Sequence, residues 1–323
     1  MSKFSKVASL IVEHCMRVKP GQEALIIVDD VALPRRLAEA FSDAVTQLGA
    51  EPVVGVMPAR QMAGQEPPKS LAAAMLAADV VLTIHDRVSI GHTNARKQAT
   101  GMGKSVYLMY TDMGEDYFAR DFSLEDWVAI GERSEALAKR FNEANTARLT
   151  TPLGTDLTVD LSGRSAVPIY ALNPVTAGVP DYGEVAICPV EDKANGTIVI
   201  DSHLAGWGYL LREPLRVRVQ AGRCVEVEGD SEDAARLRDI VFAGDNADNC
   251  PAEFAIGTSH TIPSSQRGTS WSKGRCGWVH VAFGRNNDIG GTLWSKIHMD
   301  AIISRGTITL DGDTVLKDGQ LLI

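Results

Sequence analysis

The residues of this chain best suited to chemistry are His298 and Asp300, which flank Met299 in the run 293–303. If this run is a β-strand, alternate side chains point to the same face, so the imidazole and the carboxylate lie about 6–7 Å apart along the strand. Both groups are ligands for a divalent ion such as Zn²⁺, Mn²⁺ or Fe²⁺. Two polar residues on the solvent-facing side of a strand have the same spacing, so this pair alone does not define a metal site.

Further candidate ligands lie upstream, each a polar residue within an apolar strand that has glycine close by. They are Glu184 in 183–187, Glu253 in 252–257 and His280 in 278–284. Each residue taken singly is more often a solvent-facing strand residue. Because burying an unpaired charge is costly, a shared metal ion would satisfy these groups together with His298 and Asp300. We therefore expect a metal site in the second half of the chain.

A second group of polar residues follows the strand predicted at 79–84, and it comprises His85, Arg87, His92 and Arg96. In open parallel sheets, ligands bind beyond the carboxyl ends of the strands. Two imidazoles and two guanidinium groups suit an anionic ligand, and His92 is a candidate general base. The alternative is a solvated loop with ordinary surface arginines.

Two other histidines are weaker candidates. His203, in the segment 201–208, is a candidate for substrate binding, and His260 is a candidate third imidazole for iron. Residues in such segments are more often ordinary loop residues.

The first half of the chain alternates helical and strand patterns. Helices are predicted at 5–16, 34–48, 70–76 and 124–145, and strands at 24–28, 52–56, 79–84 and 104–109. Apolar strands separated by helices indicate a parallel sheet covered by helices. From residue 149 short alternating strands with Gly, Asn and Asp turns dominate, including a hairpin at 150–161 and a turn at 311–313. The sequence thus predicts an α/β protein with an α/β domain at 1–148 and a strand-rich, metal-binding domain at 149–323.

Composition excludes several classes of protein. The 323 residues are 45% hydrophobic and 23% charged, as in ordinary globular proteins. The formal net charge of −9 and the absence of a dense Lys/Arg cluster argue against a nucleic-acid partner. The five cysteines have no C-x-x-C spacing, and neither a signal-peptide core nor a membrane-spanning run is apparent. We therefore expect a cytoplasmic protein with a small-molecule substrate and no membrane partner. The chain has no Walker A or Gly-x-Gly-x-x-Gly motif, so we expect no nucleotide partner either.

Four blocks of the chain resemble the thermophilic aminopeptidase family of metallopeptidases in order and content. These are 183–189 with 195–201, 252–258, 280–284 and 298–300. That family contains aminopeptidases with two metal ions and relatives that resemble 2,5-dihydroxypyridine 5,6-dioxygenases, which are mononuclear Fe(II) enzymes that cleave a ring. The resemblance implies that Glu184, Glu253, His280, His298 and Asp300 are metal ligands, and it implies a homo-oligomer.

One departure from the aminopeptidase pattern argues against peptide hydrolysis. The position of the aminopeptidase base, five residues before His280, holds Arg275, which stays protonated and cannot take a proton from water. Glu191 is a weakly supported substitute. The short chain is more similar to the dioxygenases, so we expect an extradiol-type dioxygenase of aromatic catabolism that acts on a 2,5-dihydroxypyridine-like ring. Fe²⁺ is the favoured metal, with Zn²⁺ or Mn²⁺ as alternatives.

In this interpretation His298 and Asp300 supply two of the three iron ligands, and the third is His280, Glu253 or His260. His92, Arg87 and Arg96 are the catalytic candidates, while His85, His203 and Arg275 are the substrate-binding candidates. Two further hypotheses stay open. The first is a dinuclear aminopeptidase or amidohydrolase, which would use all five ligands. The second is a non-catalytic protein that keeps the metal ligands for stability.

Overall fold

The computed structural model describes residues 4–61, 64–101, 106–112, 114–118, 120–173, 180–263, 265 and 267–323. These residues form two compact units. Unit 1 comprises Met1–Gly131 and Ile169–Tyr182, and unit 2 comprises Glu132–Pro168 and Gly183–Ile323. The division into domains at residues 148/149 stays a prediction.

Helices in the described residues are concentrated in the first half of the chain. They are α1 (Ser5–Leu10), α2 (Ala32–Gln47), α3 (Lys69–Ala77), α4 (Asn94–Gly101), α5 (Glu115–Phe118), α6 (Leu124–Glu143) and α7 (Glu232–Val241). A π-helical turn, Ile11–Cys15, continues α1, and a 3₁₀ turn lies at Trp271–Gly274. No helix among the described residues is both long and apolar enough to cross a membrane.

Strands β1 to β4 belong to unit 1. They are β1 (Glu23–Asp29), β2 (Glu51–Met57), β3 (Val80–His85) and β4 (Val106–Thr111). They form a parallel sheet in the order β2-β1-β3-β4. The apolar residues of β1 and β3 are buried, as expected for central strands that helices cover. The predicted parallel sheet is therefore confirmed.

The later strands form two largely antiparallel sheets, which differ in the number of strands. They are β5 (Thr146–Thr150), β6 (Asp156–Asp160), β7 (Val167–Tyr170), β8 (Gly183–Ile187), β9 (Asn195–Ile200), β10 (His203–Leu204), β11 (Leu215–Gln220), β12 (Arg223–Val227), β13 (Phe254–Gly257), β14 (Val279–Gly284), β15 (His298–Ile303), β16 (Thr307–Leu310), β17 (Asp313–Lys317) and β18 (Gln320–Leu321). One sheet has the order β10-β15-β14-β13-β8-β7, and the other has the order β12-β11-β9-β6-β5-β16-β17-β18. The strand-rich character predicted for the second half of the chain is confirmed.

The hydrophobic core of unit 2 includes residues from both sheets. Phe254, Val281 and Phe283 come from the first sheet, while Leu149 and Ile308 come from the second, and all are fully buried. Successive side chains of a strand point to opposite faces. The residues between these core positions therefore point away from the shared core, and several of them are polar.

Local differences from the sequence prediction have simple causes. Helix α2 begins at Ala32, two residues before Pro34, because proline is tolerated in the first turn of a helix. Helix α3 begins at Lys69, one residue before the predicted start, directly after Pro68. The edge strand β2 keeps Val53 and its apolar neighbours about half exposed, unlike the central strands. Of the strand predicted at 104–109, residues 104 and 105 lie outside the described part of the chain.

Candidate metal centre

The register of the antiparallel sheet brings the predicted ligands to one face. On β14 and β15, Gly284 pairs with His298 and Ala282 pairs with Asp300. Directly paired residues project to the same face, so the side chains of His298 and Asp300 extend over two small neighbours. His280 lies two residues before Ala282 on β14 and therefore shares this face.

The two glutamates reach the same face from the neighbouring strands. Glu184 of β8 is paired with Gly257 at the end of β13. Glu253 immediately precedes β13, and its carbonyl oxygen accepts a hydrogen bond from the Ala282 amide at 2.9 Å. The positions facing His298, Asp300 and Glu184 thus hold only glycine or alanine, which leaves space for long polar side chains to meet.

These side chains form two overlapping groups of candidate ligands. Glu184, Glu253 and His280 form one group, and Glu253, His298 and Asp300 form the other. Within each group the potential ligand atoms lie within 4.8 Å of one another. The Nε2 atom of His298 lies 3.2 Å from a carboxylate oxygen of Glu253 and 3.2 Å from one of Asp300. Both groups are buried, and Glu253 is common to them.

Burial and charge act in opposite directions on this cluster. Burial alone would raise the pKa of Asp300, but the Lys273 ammonium and His298 hold it well below its ordinary value. Burial likewise raises the pKa of Glu253, while hydrogen bonds from His280 and His298 outweigh it and lower the pKa. Burial lowers the pKa of His298, and the adjacent carboxylates raise it well above its usual range. Carboxylates held ionised in a buried site match the requirement of a divalent cation.

Lys273 is a member of the cluster that the sequence reasoning missed. Its Nζ atom lies 2.9 Å from Asp300, 3.5 Å from Glu184 and 3.5 Å from Nε2 of His280. Lysine in a short turn between glycine-containing segments is common on protein surfaces, so neither residue type nor spacing distinguished it. Only the backbone of the Trp271–Gly274 turn places it here.

His203 also lies in unit 2, on strand β10 beside β15. Its Nδ1 atom is 2.9 Å from the Ser202 hydroxyl, and its Nε2 atom is 3.2 Å from the Thr269 carbonyl oxygen. Burial lowers the pKa of His203 to about 4. The imidazole is therefore neutral at neutral pH.

Arg275, His260 and Glu191 belong to unit 2 but make other contacts. The guanidinium of Arg275 stacks 4.5 Å from the Trp278 ring centroid and donates to the Pro263 carbonyl oxygen. His260 is exposed, and its Nδ1 atom is 3.2 Å from the Arg133 guanidinium. Neither residue is in the two ligand groups.

Glu191, the substitute base, is engaged by other groups. One carboxylate oxygen forms an ion pair with Arg164. The other accepts hydrogen bonds from the Thr292 amide at 2.7 Å, the Thr292 hydroxyl at 2.9 Å and Asn286 at 3.2 Å. Burial raises the pKa of Glu191, but these contacts lower it below its ordinary value. A carboxylate held in this way is a poor proton acceptor.

The remaining candidates lie in unit 1. His85 ends β3 and is fully buried, with Nδ1 3.0 Å from Oδ1 of Asp29, another fully buried side chain. Arg87 is exposed and lies 3.6 Å from Asp86. His92 is half-buried, and Arg96 donates to the Gly91 carbonyl oxygen. Strands β1 and β3 both end here, so Asp29 and His85 lie at the carboxyl edge of the parallel sheet.

Together the fold and the buried cluster define a class of protein: a two-unit α/β protein with a candidate metal centre on its antiparallel sheet. The chain belongs to the NicX family, described as 2,5-dihydroxypyridine 5,6-dioxygenase, whose model matches residues 4–323. The chain is therefore a member of an enzyme family named for dioxygenase activity on a ring. The four sequence blocks indicated the aminopeptidase superfamily, and the short chain and Arg275 indicated its dioxygenase branch. Both resemblances are confirmed.

Solved structures share the whole fold. A 2,5-dihydroxypyridine dioxygenase from Pseudomonas putida KT2440 matches with a TM-score of 0.83 and 19% identity, covering 100% of this chain and 98% of that one. AmpT from Thermus thermophilus matches with a TM-score of 0.75 and 15% identity, covering 99% of each chain. No curated protein sequence matches significantly. At these identities the structural matches establish the fold, and they confirm the predicted α/β class.

Proposed function

We propose that this protein is an Fe(II)-dependent dioxygenase that cleaves a small hydroxylated N-heteroaromatic ring of the 2,5-dihydroxypyridine type. One observation carries the proposal. In a chain of a dioxygenase family, the ligand atoms of Glu253, His298 and Asp300 converge within 4.8 Å in a buried site. Imidazole and carboxylate are the ligand types that non-haem iron enzymes use.

The metal ligands in this proposal are His298, Asp300 and Glu253. Glu253 is favoured over His280 as the third ligand because His280 is grouped with Glu184 and Glu253 and not with His298 and Asp300. The exposed position of His260 beside Arg133 disfavours that residue. A bound Fe²⁺ would supply the redox chemistry of oxygen insertion and open positions for substrate.

The protein's own side chains would position the ring and move its proton. Neutral His203 adds no charge beside the carboxylates, and a substrate group would replace Ser202 or Thr269 as its hydrogen-bond partner. Arg275 keeps its charge and suits an anionic substrate group, although burial and then Arg267 lower its pKa. In unit 1, His92 remains the proposed base, Arg87 and Arg96 remain the proposed catalytic cations that stabilise developing negative charge, and His85 remains a proposed substrate contact.

A dinuclear metallohydrolase is the second candidate, and the Glu184–Glu253–His280 group favours it. Two ions sharing Glu253 would clamp a carbonyl and activate water. The mechanism lacks a base, however. Arg275 cannot accept a proton, and Glu191 is held by Arg164 and Thr292.

The test is anaerobic reconstitution with Fe²⁺, followed by oxygen uptake with 2,5-dihydroxypyridine. Protein loaded with Zn²⁺ or Mn²⁺ is assayed in parallel on leucyl-p-nitroanilide. We expect iron-dependent oxygen uptake that His298→Ala abolishes and that the matched control His14→Ala, at a half-buried position in unit 1, preserves. Amide cleavage without oxygen uptake would replace the proposal by the hydrolase. No oxygen uptake and no amide cleavage would favour the non-catalytic hypothesis.

A further inference from the structure

The side chain of Lys273 lies inside the candidate metal centre. Its ammonium group is within 3.5 Å of Asp300, Glu184 and Nε2 of His280. The side chain is only 16% exposed. A surface lysine that points inward by chance would lose hydration, so a buried ammonium requires negative partners. Lys273 has two carboxylates among its contacts.

Lys273 contacts both ligand groups: its shortest contact is to Asp300 of one group, and its other two are to Glu184 and His280 of the other. Glu184 and His280 belong to the group that does not include His298. An ammonium has a single positive charge and donates to several acceptors at once, much as a small cation is surrounded by ligands. The Lys273 ammonium therefore contacts the ligand groups that a second metal ion would need.

The charges of the cluster agree with one ion rather than two. Glu184, Glu253 and Asp300 supply three carboxylates when ionised. One ammonium and one divalent cation neutralise them. A second divalent ion beside the ammonium would leave an excess of positive charge in a buried site, and the two cations would compete for Glu184 and His280.

The backbone holds Lys273 in this position. A Cβ atom at Gly257 would lie 2.2 Å from the carbonyl oxygen of Arg275 and 2.7 Å from that of Lys273. The turn therefore packs directly against a glycine of β13. Ser272 is fully buried, and its hydroxyl donates to the Thr269 carbonyl oxygen at 2.7 Å. These contacts fix the backbone of the turn, and therefore the position of the Lys273 Cα atom from which its side chain extends towards the carboxylates.

We propose that Lys273 takes the place of a second metal ion and limits the centre to one divalent cation per chain, bound by Glu253, His298 and Asp300. This inference rests on the proposed metal centre. It explains how a site with ligands for two ions serves a mononuclear enzyme. Lys273 is a positioning residue in this account, since it acts through the carboxylates.

The experiment counts metal ions. Chelator-treated protein is incubated with excess Mn²⁺ or Zn²⁺ and desalted, and metal per chain is measured by mass spectrometry. We expect one ion in the wild type and two in Lys273→Met. Lys273→Arg should keep one ion because it keeps the charge. The matched control Lys296→Met removes an exposed lysine paired with Asp245 and should also bind one ion.

A double variant locates the second ion. Adding Glu184→Gln to Lys273→Met should return the count from two to one. If Lys273→Met still binds one ion, or if the wild type binds two, the inference is wrong although the metal centre stands. If the wild type binds none, the proposed metal centre itself fails.

A second measurement covers the case in which Lys273→Met does not fold. Crystals of the wild type soaked in excess Mn²⁺ are examined by anomalous scattering. One peak at Glu253, His298 and Asp300, with the Lys273 ammonium in place, supports the inference. Two peaks overturn it.

Discussion

The pair of Asp29 and His85 at the carboxyl edge of the parallel sheet allows a quantitative test. Both side chains are fully buried, and the carboxylate accepts from His85 Nδ1 at 3.0 Å and from the Asp86 amide at 2.9 Å. Because a carboxylate only accepts, Nδ1 of His85 must carry a proton. Asp29→Asn keeps the shape of the side chain but removes the charge.

The expected loss of stability follows from these two hydrogen bonds. A hydrogen bond to a charged group contributes about 1.5–3 kcal/mol, against about 0.5–1.5 kcal/mol for a neutral one. Converting both bonds therefore costs about 2 kcal/mol. The NH₂ group of the new asparagine also faces one of the two donors, His85 Nδ1–H or the Asp86 amide, and cannot accept from it. We therefore expect a total loss of stability near 3 kcal/mol. For a chain of this size, that corresponds to a lowering of Tm by about 4–5 °C.

The neighbouring residue provides the control. Asp30 carries the same group, but its side chain is 61% exposed and pairs with Arg35 at 2.7 Å. Asp30→Asn should change stability by less than about 1 kcal/mol. Urea denaturation and thermal melting of the two variants measure the difference. Equal effects of both substitutions would refute the argument from burial. If His85 contacts the substrate as proposed, Asp29→Asn should also lower kcat, because Asp29 holds the proton on Nδ1 and leaves Nε2 of His85 as the acceptor.

Three further outcomes are expected. Gly257→Ala should lower the urea midpoint by an amount equivalent to about 1–3 kcal/mol, because its Cβ would lie 2.2 Å from the Arg275 carbonyl oxygen; an unchanged midpoint would contradict the close packing. In chelated protein, the pKa of about 4 for His203 lies below its unfolded value near 6.5, so the unfolded state takes up the proton first as pH falls. Stability should therefore decline between about pH 6.5 and 4 by about 3 kcal/mol, and His203→Gln should flatten this decline in urea titrations at several pH values. Metal at about 100 times its Kd should raise the free energy of unfolding by about 2.7 kcal/mol, and a chelator should reverse the effect; no change in wild type, or the same gain in His298→Ala, would argue against the site.

The fold was largely predictable because its signals are local. The apolar segments at 24–28 and 79–84 predict central parallel strands, and β1 and β3 are buried as expected. The edge strand β2 could not be distinguished from them, since Pro52–Val56 is equally apolar and only its position at the end of the sheet exposes it. The observed starts of α2 and α3 differ from the predicted starts by one or two residues, because proline is compatible with more than one position at the beginning of a helix.

The predicted ligands meet because strand alternation is encoded in the sequence, whereas the choice of neighbours is not. His298 and Asp300 share a face by their spacing alone. Their approach to Glu253 depends on the pairing of β13, β14 and β15, which residues far apart in the chain determine. For the same reason Lys273 was missed, because its turn meets β13 only in the folded chain.

Glycine and alanine at the centre of the sheet face explain why this cluster is both crowded and stable. Ala282 and Gly284 oppose Asp300 and His298, so the polar side chains fill volume that larger neighbours would occupy. A Cβ atom at Gly284 would lie 2.4 Å from the Ile297 carbonyl oxygen, so the space cannot be filled by substitution there. The packed carboxylates repel one another and require positive charge. Lys273 supplies part of it, and we propose that the remaining negative charge favours the binding of a single divalent ion.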